Sequence, residues 1–67
     1  MEYKRYKHSE LQIVILRALL NERCVEKRQL RNKLDANPSA FTRAVKALVR
    51  KGLVKEITIN HKKIVCI

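Results

Sequence analysis

The sequence predicts an α+β domain of three helices and a small antiparallel sheet, in the order helix, short strand, helix, helix, strand, strand. Three observations predict it. Apolar residues recur at helical spacing in two segments, residues 11–20 and 41–48. Asn37-Pro38 opens the second of these and Gly52 closes it. After Gly52 the apolar period falls from about 3.6 to 2. At 67 residues the chain makes one small core, burying roughly 60% of the surface its unfolded form exposes. There is no room for a catalytic domain beside a substrate domain.

The first helix opens at Ser9, with Gln12 three positions on in capping-box spacing. Leu11, Val14, Ile15, Ala18 and Leu19 make its core stripe, and Ile13, Leu16 and Leu20 form a second stripe on another side. Only Glu10, Gln12, Arg17 and Asn21 are polar between positions 10 and 21. A helix apolar around most of its circumference has to be covered around most of it. One side is expected to face the core and the other a second copy of the chain. Residues 21–23 end this helix, and Cys24-Val25 is a short β-favouring pair.

A second helix is expected over residues 27–34, with Leu30 and Leu34 inward and Lys27, Arg28, Arg31 and Lys33 outward. Asp35-Ala36 is the connection. Asn37 is a good N-cap, and proline at the first helical position loses no hydrogen bond. The third helix is expected over residues 38–51. Phe41, Ala44, Val45 and Leu48 share one stripe, opposite Ser39, Thr42, Arg43, Lys46 and Arg50. Residues 53–59 and 64–67 then read as two strands. A four-residue connection, residues 60–63, sets Ile59 against Ile64 and Ile57 against Cys66, all on one face. A two-residue Asn60-His61 turn would instead set Ile59 against Lys62. The longer connection is preferred here because no glycine marks a tight turn.

Apolar residues make up 46% of the chain, and glycine and proline occur once each, a composition that excludes disordered, collagen-like and linker classes. The longest apolar stretch, residues 11–20, is interrupted by Gln12 and Arg17 and is about half a membrane span. The N-terminus lacks the apolar region of a signal peptide, so an intracellular, cytoplasmic protein is expected. Sixteen Lys and Arg against six Asp and Glu give +10. Residues 27–63 hold eleven of the cations and only two acids, Asp35 and Glu56. So concentrated a charge points to a polyanion, nucleic acid or an anionic membrane.

This order of elements, with the short turn between the second and third helices, resembles the winged helix-turn-helix domain. Residues 25–34 (VEKRQLRNKL) are similar to the first motif helix, and residues 37–54 (NPSAFTRAVKALVRKGLV) to the recognition helix running into the wing. The closest similarity is to the MarR and ArsR kinds of transcription regulator. The resemblance covers residues 9–67, leaving residues 1–8 as a basic arm. It implies that the recognition helix, residues 38–51, enters the major groove of double-stranded DNA, with the wing, residues 53–67, on the backbone or in the minor groove. Ser39, Thr42, Arg43 and Lys46 then fall where the family touches bases and nearby phosphates. Lys27, Arg28 and Arg31 fall toward phosphates, as do His61, Lys62 and Lys63 at the wing tip. Arg43 suits guanine, because its fork donates to O6 and N7 together. Phe41 is assigned to the core by its stripe. The arm, Tyr3-Lys4-Arg5-Tyr6-Lys7, is expected to extend the first helix or pack at a dimer seam. Its alternative is a minor-groove contact.

A homodimer through Ile13, Leu16 and Leu20 is expected; the flanking dimerisation helices of the MarR kind have no counterpart in these residues. The paired metal ligands of the ArsR kind have none either. Cys24 and Cys66 lie 42 positions apart, and His8 is far from His61, so no metal and no cofactor are expected. In the winged fold the first short strand pairs with the last, which would bring Cys24 near Cys66. Two buried free thiols are the expectation and a disulfide the alternative. No nucleophile-base-acid set or glycine-rich loop suggests an enzyme, and no membrane or small-molecule partner is indicated. The expected function is a sequence-specific DNA-binding regulator. The alternatives are a non-specific DNA- or RNA-binding architectural protein and a winged-helix protein-interaction module. The Ile/Val/Lys/Arg-rich, glycine-poor composition fits a small regulator of an archaeon, or of its virus or plasmid.

Overall fold

The computed structural model describes residues 2–67. Its elements are α1 (His8–Glu22), β1 (Cys24–Glu26), α2 (Lys27–Leu34), α3 (Pro38–Arg50), β2 (Lys55–Ile59) and β3 (Lys62–Cys66). The strands form one antiparallel sheet in the order β1-β3-β2. This is the expected α+β winged helix-turn-helix, in the expected order.

The core is built where the helical stripes meet. Leu11, Ile15 and Leu19 of α1, Leu30 of α2, and Phe41, Ala44, Val45 and Leu48 of α3 are buried together with Ala36, Val54 and Val65. Gln12 is also buried, although its polarity suggested the solvent side. Its Oε1 accepts a 2.8 Å hydrogen bond from Lys51 Nζ, which satisfies that oxygen and ties α1 to the end of α3. Helix α1 begins one residue before Ser9. Lys7 caps it, its own N–H donating to the Glu10 carboxylate at 2.9 Å. A carboxylate in the first turn stabilises the free N–H groups there.

Both motif helices close in the same way. After α2, Asp35 takes the left-handed region at φ 52°; its N–H donates to Asn32 O and that of Ala36 to Arg31 O, both at 3.2 Å. After α3, Gly52 lies at φ 77°; its N–H donates to Val49 O and that of Leu53 to Leu48 O, both at 3.0 Å. This paired closure stops a helix sharply and turns the chain. Asn37 opens α3 as expected, its Oδ1 accepting from Ser39 N at 2.9 Å and Ala40 N at 3.4 Å.

Three further expectations are corrected. The β2–β3 connection is the two-residue turn, Asn60 and His61 at φ 51° and 65°, with Ile59 opposite Lys62 and Ile57 opposite Ile64. Asparagine enters the left-handed region at low cost, and a turn with two such residues matches the twist of paired strands. Glycine was not required. Strand alternation then turns Val65 inward and leaves Ile57 and Ile59 exposed on the outer face.

The cysteines are not free thiols. Cys24 faces Cys66 across the β1–β3 pair, with Cα atoms 4.1 Å apart, and the two form a disulfide. Side chains of directly opposed residues emerge on the same side of a sheet, so this register brings the sulfurs together. Nor are the cysteines both buried, since Cys24 is exposed and Cys66 half-buried.

The arm does not extend α1. Residues 2–7 have no regular structure and cross to the far end of α2, where Lys4 N–H donates to Asp35 O at 2.9 Å and Tyr6 Oη–H to Leu34 O at 2.8 Å.

Candidate nucleic-acid interface

Because Phe41, Ala44, Val45 and Leu48 hold one side of α3 in the core, the opposite side faces out. Ser39, Arg43, Lys46 and Arg50 are exposed there and Thr42 is half-buried. Pro38, Ser39, Thr42, Arg43 and Lys46 line an open groove along this side. A second groove of about 450 Å³ runs between the starts of α2 and α3 and the wing tip. It is lined by Glu26, Lys27, Arg28, Arg31, Pro38, Phe41, Thr42, His61, Lys62 and Lys63. Pro38 and Thr42 line both, so the grooves are continuous across the start of α3. All ten residues singled out from the sequence line one groove or the other.

Their side chains are not equivalent. Lys27 pairs with Glu56 of β2 at 3.1 Å, its side chain only 16% exposed. Arg31 donates to Ala36 O at 3.2 Å and to Asn32 Oδ1 at 2.7 Å, so its guanidinium braces the turn between the motif helices. Lys62 lies 3.8 Å from Glu26 with a well-exposed side chain. An ion pair of that kind contributes little and exchanges readily. Arg28, Arg43, Lys46 and Lys63 have no acidic partner among the described residues. The grooves thus hold four unpaired cations, with Lys27 and Arg31 fixing the frame that carries them.

Sequence reasoning missed Glu26, Pro38 and Phe41 as lining residues. Phe41 is core as expected, 1% exposed, and it still lines the second groove. Glu26 gave no local signal, because what brings it to the wing tip is the β1–β3 pairing, opposite Ile64. A concave surface lined by cations over an apolar floor focuses positive potential outward. Hydroxyls at Ser39 and Thr42 add short donors and acceptors beside the Arg43 fork.

A family model described as MarR family matches residues 9–59, from the first turn of α1 to the end of β2. The chain belongs to the MarR family. MarR-family members are transcription regulators that bind DNA, usually as dimers. Neither the curated proteins nor the solved structures give a match. In this MarR-family chain the matched segment carries both motif helices, and with them seven of the ten groove residues singled out from the sequence. Among the described residues no helix is long and apolar enough to cross a membrane. No group of three or more His, Cys, Asp or Glu among them is placed to hold a metal ion.

Proposed function

We propose that this chain is a sequence-specific double-stranded DNA-binding transcription regulator that acts inside the cell as a homodimer. In this reading α3 enters the major groove, the start of α2 meets the backbone, and the wing tip lies on the backbone or in the adjacent minor groove. Arg43 reads a base edge, with Ser39 and Thr42 on base edges or phosphates. Arg28, Lys46, Lys62, Lys63 and His61 approach phosphates, and Lys27 and Arg31 reach them only at the rim of the contacts they already make. The observation that carries the reading is the convergence of three chain segments on one continuous pair of grooves, over the outward side of α3.

Two substitutions separate specific from general affinity. Arg43→Ala is expected to weaken binding to a preferred duplex by about 10- to 100-fold, the 1–3 kcal/mol of a bidentate base contact, with little effect on random duplexes. Lys46→Ala is expected to weaken all duplexes alike and to make the log–log salt slope shallower by about 0.9. Titration of labelled duplexes at several salt concentrations, after selection from a random pool, reads both. Equal losses for Arg43→Ala on every sequence would favour the non-specific alternative. No duplex binding at low salt, with capture of an acidic protein that survives nuclease, would favour the interaction module.

The dimer is assigned to α1. Ile13 and Leu20, seven positions apart and so on the same side of a helix, are 51% and 69% exposed; Leu16 between them is half-buried and also packs on the core. Ile13→Asp with Leu20→Asp is expected to give single-chain mass by sedimentation and to leave the fold intact, since both side chains are largely outside it. Wild-type mass in that variant would move the seam elsewhere. In a dimer that binds one face of DNA the two α3 helices sit about 34 Å apart.

A further inference from the structure

We propose that the N-terminal arm is a second, independent DNA contact: a strap along the turn between the motif helices whose Lys4 and Arg5 meet the phosphate backbone flanking α3. This rests on the reading of α3 as a DNA-entering helix and adds a surface outside the two grooves.

The placement comes from two hydrogen bonds far apart in sequence. Tyr6 is fixed to Leu34 O and Lys4 to Asp35 O. Traced backward, the arm therefore advances from the last turn of α2 toward the start of α3. Asp35 is only two residues before the α3 N-cap, Asn37, and four before Ser39. Four residues span at most about 14 Å, so the Lys4 backbone, bonded to Asp35 O, lies close to the start of the helix that carries Ser39 and Arg43. The anchors are a backbone N–H and a tyrosine hydroxyl, which leaves the cationic ends of Lys4 and Arg5 out of the anchoring. Both residues are exposed, and neither has an acidic partner among the described residues. The Lys4 ammonium lies 6.0 Å from the Tyr6 ring centre, at the limit of a cation–π contact. Lys7 belongs to a different job, capping α1 through its own backbone.

The same geometry argues for phosphate rather than a base edge. A minor-groove arm has to be free to enter the groove, and here the arm is held to the protein on both sides of Arg5, by the Lys4 N–H and the Tyr6 hydroxyl. Held backbone with exposed, flexible cations is a surface for neutralising phosphate, which carries no sequence information.

The test uses the full chain and the variant K4Q/R5Q, which keeps the Lys4-position N–H and Tyr6 and so keeps the strap. Duplexes centred on a selected site, with long and with trimmed flanks, are titrated between 50 and 200 mM salt. On the long duplex the variant is expected to show a log–log salt slope shallower by about 1.8, so its affinity falls roughly 12-fold less than wild type across that range. On the trimmed duplex the two proteins are expected to agree. Identical slopes on the long duplex would overturn the strap contact while leaving α3 as the DNA element. A loss that depended on the flanking base sequence would also overturn it, in favour of minor-groove reading. Failure of the wild-type chain to bind any duplex would overturn the parent reading and the strap together. An unchanged melting temperature in K4Q/R5Q confirms that charge alone was altered.

Discussion

Reduction of the Cys24–Cys66 bond, or its replacement by alanine at both positions, is expected to lower the midpoint of thermal unfolding by about 15–30 °C. The cross-link joins residues 42 positions apart, and a closed loop of that length removes about 4 kcal/mol of chain entropy from the unfolded state. A domain of this size shifts by about 4–8 °C per kcal/mol. Small cores leave little reserve, so this one bond is a large share of the stability. The bond also has a position. It sits at the base of the wing, joining the first residue of β1, directly after the α1 cap Arg23, to the last residue of β3. It therefore ties the end of β3 to the segment leaving α1, at the opposite end of β3 from Lys62 and Lys63. Melting followed by circular dichroism with and without reductant is the measurement. A shift below about 5 °C would mean that the cross-link restricts the unfolded chain far less than its 42-residue loop implies.

Phe41→Ala is expected to cost about 3–5 kcal/mol, the range for emptying a buried aromatic site. Phe41 is the largest buried side chain, 1% exposed, and it stands on the inner side of α3, one residue before Thr42 and two before Arg43. Its loss both opens a cavity and releases the helix that presents the outward residues. The variant is expected to lose cooperative melting under reducing conditions and to lose duplex binding with it. Phe41→Leu fills most of the volume and is expected to retain both. If the alanine variant melted within a few degrees of wild type, α3 would have to be held mainly by Ala44, Val45 and Leu48.

Where the sequence reading succeeded, the information was local. Helix α3 has its cap, its stop and its stripe within sixteen consecutive residues, 37–52, and its outward residues follow from that stripe alone. The α2 range, residues 27–34, is read from its inward pair Leu30 and Leu34 against the outward cations. What could not be read was non-local or depended on backbone angle. The Lys27–Glu56 pair joins α2 to the far strand, so sequence gave no reason to separate Lys27 from Arg28. Gln12 looked like a surface residue until Lys51 arrived from the other helix to satisfy it. The start of α1 moved because the Glu10 carboxylate reaches the Lys7 N–H, a choice that competes with Ser9 and Gln12 on equal spacing. The hairpin register turned on whether Asn60 and His61 would both accept positive φ. That is a small free-energy difference, and spacing does not reveal it. The arm's destination was invisible for the same reason as the ion pair: its anchors, Leu34 and Asp35, are some thirty positions away.

The covalent ring closed between residues 24 and 66 contains both motif helices and the whole hairpin, and it leaves α1 and the arm outside. A pull on the two chain ends can therefore extend only the arm and α1, and residues 24–66 stay looped under any load that spares the sulfur bond. A single protease cut at the wing tip likewise yields two pieces that still travel as one molecule. Because Leu11, Ile15 and Leu19 of α1 belong to the shared core, extending α1 also uncovers the inner side of α3, although the ring itself stays closed.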